Sequence, residues 1–490
     1  MNRRRRAAAN ATATATRGMP AAIATLLAVV LLAGAGCRGK HEIRSAVERD
    51  QVRPATEWLR MEPVKMLYDY VRIDTTSEGP GERPGAQYLK DFFDCAGIEA
   101  EIVCPQPLRC NLLARLPGRR REGSLLLLSH IDVARSFAKL WATPPFGGKI
   151  ERGYLYGRGS YDTKSLTLVH ALAMRDLKRA GIVPETDILL LAEADEEVGQ
   201  RWGSRWLLEH RPEWFAGVSA VLNEGGTTEV LIRDVRLWGL ETLQAGYGQL
   251  ELGSRDPEAL KALKDRVPKP AEPPAIPDPQ VVESFNLTAN LVANPLTDPL
   301  RHLDRVRNDP KELAELPDRY GAFLEPRSFF SPPYAFPPGQ TERYRSYVIV
   351  SVPPGVPPER YLDRIVKAAA ELKIDVIDRV SSGPTTASPY PTDFTRLLER
   401  VTAARYPGVP FGPSPGSGGM TTTVYFRQKG IPAYGYSPIA FNITDTSRRH
   451  NNDERIFLRD YVEGVELMSE VLKEFAFYPG NKTSRANGEK

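Results

Sequence analysis

At 490 residues, with 41% apolar and 26% charged side chains, the chain can build two or three hydrophobic cores and has ordinary globular usage. Residues 1–36 carry five Arg and no acid, so removing them takes the formal net charge from +4 to −1. That balance argues against a nucleic-acid partner.

Arg3 to Arg6 precede an apolar stretch from Pro20 to Gly36 that ends in Leu32-Ala33-Gly34-Ala35-Gly36-Cys37. This is the pattern of a bacterial secretory signal with a lipobox-like end, although Gly34 stands where a Leu is usual. The run is short for a membrane span. The expectation is a signal over residues 1–37, export to the bacterial cell envelope, and a membrane tether through lipidated Cys37, with more than one acyl chain needed for firm anchoring. Residues 38–55 read as a charged linker and 479–490 as a disordered tail.

Glu62 to Tyr70 and Ala86 to Phe93 place apolar residues at helical spacing, with Pro63 at a first helical position and Gly97 as a stop. Of the three remaining cysteines, Cys104 and Cys110 flank Pro105-Gln106-Pro107-Leu108-Arg109, and an exported chain can close them as a small loop disulfide. None of the three has metal-finger spacing.

Leu125-Leu126-Leu127-Leu128-Ser129-His130-Ile131-Asp132 is a continuous apolar run ending in two polar residues at i and i+2, which strand alternation puts on one face. Such a run suits a strand buried on both sides of a parallel sheet, where ligand sites lie at the carboxyl ends. Ile188 to Leu191 before Ala192-Glu193-Ala194-Asp195-Glu196-Glu197, and Val218 to Leu222 before Asn223-Glu224-Gly225-Gly226, repeat the arrangement. Helical stretches such as Leu166 to Ala180, stopped by Gly181, alternate with them, so the main domain reads as α/β with a central mixed sheet flanked by helices. Residues 56–235 and 381–478 are expected to form this catalytic domain. Residues 236–380, between Glu224 and His450, read as an inserted smaller α+β lid, in which Val267 to Pro274 is a Pro-rich loop.

Imidazole nitrogen and carboxylate oxygen are the donors of a hydrolytic zinc site, which keeps one coordination position open for water. His130, Asp162, Glu197, Glu224 and His450 would hold two Zn2+ ions if one carboxylate were shared. A further carboxylate is then needed to move the water's proton, and adjacent Glu196 and Glu197 can divide base and ligand roles. A lone strand-end His is more often structural and a Glu-Glu pair more often a solvated face; several such motifs in order shift the balance to a metal site. His41, His170, His210 and His302 receive no such support. His170 reads as packed in an apolar helix and His210 as exposed.

His130-Ile131-Asp132, Gly157-Arg158-Gly159-Ser160-Tyr161-Asp162-Thr163-Lys164, Asp195-Glu196-Glu197-Val198-Gly199, Asn223-Glu224-Gly225 and His450-Asn451-Asn452-Asp453-Glu454 resemble, in order, the motifs of the zinc aminoacylase and carboxypeptidase family. That group includes glutamate carboxypeptidase, aminoacylase and carboxypeptidase S. Trp141 with Pro144-Pro145-Phe146 is similar too, and the likeness runs from about Thr56 to Phe477. It implies that His130 and Glu224 bind one zinc and Glu197 and His450 the other, with Asp162 bridging. It also implies that Asp132 orients the His130 ring and that Glu196 is the general base. The implied substrate is a peptide or an N-acyl amino acid, and a homodimer through the lid is left open.

The chain departs from the family's pattern in three places. The lid stretch Gly248 to Asp256 lacks the usual histidine, with His302 the only other one in the middle region. Thr422 and Val424 replace the acid and the Arg of Gly-x-Thr-Asp-x-Arg, with Arg427 nearby as a candidate substitute. Ser351 stands where an Arg is usual. These losses keep a second expectation in play, a catalytically silent, metal-retaining binding lipoprotein of the same fold.

Overall fold

The computed structural model describes residues 47–226, 228–231, 234–268, 273–291, 296–336, 343–415 and 419–478. The expected signal, His41, Cys37 and the tail from 479 lie outside them. The chain divides after Val52 into two compact units. In the first, residues 47–52 are helical; everything below concerns the second. No helix among the described residues is long and apolar enough to cross a membrane.

After a single helical turn at Ala55–Trp58 come helices α1 (Glu62–Val71) and α2 (Arg83–Cys95), with Pro63 in the opening turn of α1, where a missing N–H costs nothing. The hairpin of β1 (Glu99–Gln106) and β2 (Arg109–Leu116) carries the Cys104–Cys110 disulfide, as the spacing suggests, while Cys95 is free and exposed. β3 (Arg120–His130), the short strands β4 (Lys149–Glu151) and β5 (Tyr154–Tyr156), α3 (Lys164–Arg179) and β6 (Thr186–Glu193) follow. Then come α4 (Ser204–His210), β7 (Val218–Asn223), β8 (Thr228–Leu231) and β9 (Asp234–Leu243).

A second set of elements begins with β10 (Gly246–Ser254), α5 (Pro257–Arg266) and α6 (Pro279–Ala289). It continues through β11 (Arg327–Phe330), β12 (Tyr334–Ala335), β13 (Tyr344–Val352), α7 (Glu359–Glu371) and β14 (Asp375–Ser381). The chain closes with α8 (Asp393–Arg405), β15 (Phe411–Pro415), α9 (Thr423–Gln428), β16 (Ala433–Gly435), β17 (Arg455–Phe457) and α10 (Leu458–Ala476).

The large sheet is mixed, in the order β1-β2-β6-β3-β7-β16-β9-β15 with β8 on β9. At its centre β6, β3, β7 and β16 run parallel. Along β3, Leu125 and Leu127 enter the core beneath α1, α2, α3 and α10, whereas Leu126 and Leu128 face Leu207, Trp214 and Phe426 on the other side. Burial of alternate residues on both faces explains the unbroken apolar run. His130 is level with Glu193 in the β3–β6 register, so the polar strand ends come together on one edge.

The second sheet, β11-β13-β10-β14 with β12 on β13, is antiparallel and is covered by α5 and α7. The expected lid start at Arg236 falls inside β9 of the large sheet, and the chain changes sheets only between Leu243 and Gly246. The described residues 279–291 and 296–324 are not in the second sheet either. Their helices form a separate core with Leu243, and Leu287 of α6 lies so close to Gly412 of β15 that a Cβ there would be 2.3 Å from Leu287 Cδ1. An apolar helix face does not say which sheet it will cover, and so sequence alone merged these parts into one lid.

Candidate metal centre

The parallel strands bring His130, Asp132, Glu196, Glu197 and Glu224 to one sheet edge. The turn into α3 supplies Asp162, and the loop after Thr446 supplies His450. His130 Nε2 lies 3.1 Å from Asp162 Oδ1 and 3.7 Å from Glu224 Oε1. His450 Nε2 lies 3.0 Å from both Asp162 Oδ2 and Glu197 Oε2. Asp162 thus stands between the two imidazoles, one oxygen to each. His130 is 1% exposed, whereas the His450 side chain is 53% exposed at the mouth of the site. Ligand atoms of His130, Glu196 and Glu224 all fall within 4.8 Å of one another, as do those of His130, Asp162 and Glu197.

Asp132 is fully buried. Its carboxylate accepts the backbone N–H of Glu196 at 3.1 Å and that of Glu197 at 2.9 Å. The His130 Nδ1 partner at 2.8 Å is the backbone carbonyl of Asp132, with the carboxylate farther off at 3.5 Å. Asp132 therefore touches both the ring and the Glu-Glu loop.

Further supports were not singled out in the sequence. Gln200 Nε2 donates to Glu196 Oε1 at 2.9 Å, and the Gln200 N–H bonds Asp195 O at 2.7 Å. Glu454 Oε1 accepts the N–H groups of Tyr161 and Asp162 at 2.8 and 3.1 Å, while its other oxygen meets buried Arg158 at 2.5 Å. Arg158 and Glu454 belong to motifs already noted and Gln200 directly follows one, so closeness in sequence to the candidate ligands was the available hint.

Burial dominates the electrostatics. It pushes Glu196 well above the usual carboxylate range and Glu224 up to about 8, reinforced by Glu224 for the former and Asp162 for the latter. Burial opposes the charged form of His450, yet hydrogen bonds to Asp162 and Glu197 raise it to about 10. Glu197 Oε1 is buried without a hydrogen-bond partner. A surplus of desolvated carboxylates with an orphaned oxygen and two imidazoles suits divalent cations, which supply the missing positive charge. The donor set fits two ions.

The departures resolve unevenly. Thr422 donates to Glu193 Oε1 at 2.5 Å, and Glu193 also accepts the Ser204 N–H at 2.6 Å. A carboxylate is thus present beside Thr422, delivered by β6. Arg427 does not face a substrate: its guanidinium is buried against Glu241 at 3.3 Å and donates to Ala433 O at 2.9 Å. His302 is exposed and paired with Asp298 at 3.0 Å. His170 is buried with both ring nitrogens unpartnered, and His210 is exposed and stacked on Trp206.

Residues 126–474 match the family described as peptidase family M20/M25/M40. Over 148 residues the chain is 34% identical to a probable succinyl-diaminopimelate desuccinylase of Staphylococcus aureus, covering 30% of this chain and 36% of that one. Over 155 residues it is 32% identical to aminoacylase-1 of Sus scrofa, covering 31% and 38%. The aligned region thus spans little more than a third of those relatives. Among solved structures, human carnosine dipeptidase 1 superposes with a TM-score of 0.64 at 17% identity, covering 89% of this chain and 99% of that one. An M20 family metallo-carboxypeptidase of Sulfolobus solfataricus gives 0.63 at 17% identity, covering 85% and 99%. At such identities the likeness speaks for the fold, a large sheet with helices plus a smaller second sheet. The profile match extends from the central strand β3 to the last helix and takes in every expected metal ligand, and by it the chain belongs to peptidase family M20/M25/M40.

Proposed function

We propose that this protein is a dizinc hydrolase of amide bonds in peptides or N-acyl amino acids, with Glu196 as general base. The observation that carries this reading is Asp162 between His130 and His450, with Glu224 and Glu197 on either side. His130, Glu224 and Asp162 would hold one ion, and Glu197, His450 and Asp162 the other. When bound, such a pair polarises a carbonyl oxygen and acidifies water.

The remaining work falls to the chain. Glu196 takes a proton from the attacking water as its oxygen bonds the carbonyl carbon, and returns it to the amine as the C–N bond breaks. Gln200 fixes one oxygen of Glu196 and leaves the other for the proton. Asp132 sets the Glu196-Glu197 backbone and, through its own carbonyl, the His130 ring. Nothing among the described residues favours the silent alternative.

Export with a lipid on Cys37 belongs to the same proposal. Its support is the Arg-rich and apolar N-terminal sequence, together with a disulfide of the kind that persists in oxidising compartments. The test of function is release of free amine from dipeptides and N-acyl amino acids after chelation and zinc readdition. Turnover that depends on metal supports the reading, and no turnover on any member with zinc bound counts against it.

A further inference from the structure

The pairing of β2 with β6 ends at Leu112 opposite Ala192, and beyond it the side chain of Asn111 takes over. Asn111 is fully buried. Its Oδ1 accepts the Ala194 N–H at 2.9 Å, and its Nδ2 donates to Trp202 O at 2.9 Å. One amide group thus fastens both ends of the loop 194–202, which carries Glu196 and Glu197. Two residues away, Arg109 Nε sits 3.9 Å from Asp195 Oδ1 in the same loop, while its other nitrogens donate to buried Glu82 at 2.9 Å and to Ser77 O at 3.0 Å. Between Arg109 and Asn111 lies Cys110, itself buried and bonded to Cys104.

The loop needs such a hold. Asp195 and Gln200, neither of them glycine, lie in the left-handed region at φ 66° and 54°. Backbone of that kind is costly away from glycine and persists only where its surroundings fix it. Asp132 fixes the middle of the loop through the N–H groups of Glu196 and Glu197; Asn111 fixes the ends. A side-chain amide offers an acceptor and two donors on one rigid group. The second donor direction of Asn111 reaches Val103 O at 3.5 Å, on the strand that pairs with its own. Val103 precedes Cys104 and Asn111 follows Cys110, so the disulfide ties together the two strands that the Asn111 side chain bridges.

We propose that Asn111 is a positioning residue of the reaction, holding Glu196 in place through the ends of its loop, and that the Cys104–Cys110 disulfide holds Asn111 in turn. The proposal rests on the hydrolase reading above. Among the described residues Asn111 makes no hydrogen bond to a candidate metal ligand, so its loss acts on the placement of the base.

The test compares wild type, Asn111→Leu and Cys104→Ala/Cys110→Ala, each as the full chain loaded with zinc. Steady-state kinetics on an amide that wild type cleaves are read beside hydrogen exchange of the 194–202 amides, with β3 as the internal control. In Asn111→Leu, kcat falls about 10-fold at unchanged KM and zinc content, and exchange speeds up in 194–202 but not in β3. The double variant, which keeps every hydrogen-bonding group of Arg109 and Asn111, moves both readings in the same direction by a smaller factor. Faster exchange in β3 as well would make Asn111 a support of the whole sheet and overturn the proposal, as would unchanged kcat in Asn111→Leu. If Asn111→Leu does not fold, the double variant decides alone, and wild-type kcat with wild-type exchange in 194–202 overturns the proposal. Absence of turnover by wild type on any amide counts against the hydrolase reading, and the exchange in 194–202 still judges the hold of Asn111.

Discussion

Asp132 Oδ2 accepts the backbone N–H of Glu197 at 2.9 Å, and its partner oxygen accepts that of Glu196 at 3.1 Å. One buried carboxylate therefore fixes the backbone of two neighbouring glutamates, one proposed as ligand and the other as base, while its own carbonyl holds the His130 ring. Asp132→Asn puts an amide donor against one of those N–H groups. The expected result is a loss of about 10- to 100-fold in metal affinity or activity, measured by zinc titration and steady-state kinetics. Unchanged values in both would remove Asp132 from any supporting role.

Gln200 restrains Glu196 through one hydrogen bond and, among the described residues, makes none to a proposed metal ligand. Gln200→Leu is expected to lower kcat by about tenfold, the scale of one lost hydrogen bond to a charged group, with KM and zinc content unchanged. A change in zinc content with kcat intact would assign Gln200 to the metal loop instead.

The Arg427–Glu241 pair is buried on both sides, and removing one partner strands the other. Arg427→Met is expected to cost about 3–5 kcal/mol of stability, seen as a lower urea midpoint. KM for the amide that wild type cleaves should be unchanged, because Arg427 faces Ala433 and Ser388. A rise in KM with stability intact would return Arg427 to the substrate site.

His170 gives a pH prediction away from the metals. Burial lowers its pKa to about 3. Above pH 6.5 neither the folded nor the unfolded state protonates it, so it adds no pH dependence there. Below 6.5 only the unfolded state takes the proton, and stability falls as pH drops toward 3, by up to about 1.4 kcal/mol per unit. His170→Leu should lose less stability than wild type between pH 6.5 and 4, in denaturant melts of the metal-free proteins. Parallel losses would show that His170 is protonated without penalty.

That His130, Asp162, Glu197, Glu224 and His450 come together was legible because each follows an apolar run or sits in a short motif, and burial on both faces forces such runs to be uninterrupted. Their supports were not, since the partners are distant: Thr422 and Glu193 are 229 residues apart, and Arg158 and Glu454 are 296. Gln200 is only four residues from Glu196, but its loop becomes informative only when its backbone is seen to fold back on Asp195. The strand that leaves the large sheet was misplaced for a similar reason. β9 has the composition of any half-buried strand, and only its pairing with β15 and β16 shows which sheet owns it.

The most direct test of the account is the turnover of Glu196→Gln beside wild type at matched zinc occupancy, on whichever amide wild type cleaves. The account predicts two zinc equivalents in both proteins and a fall in kcat of about 10²- to 10⁴-fold in the variant. Turnover near wild type with both ions bound would contradict it, because the proton would then be moving through some other group.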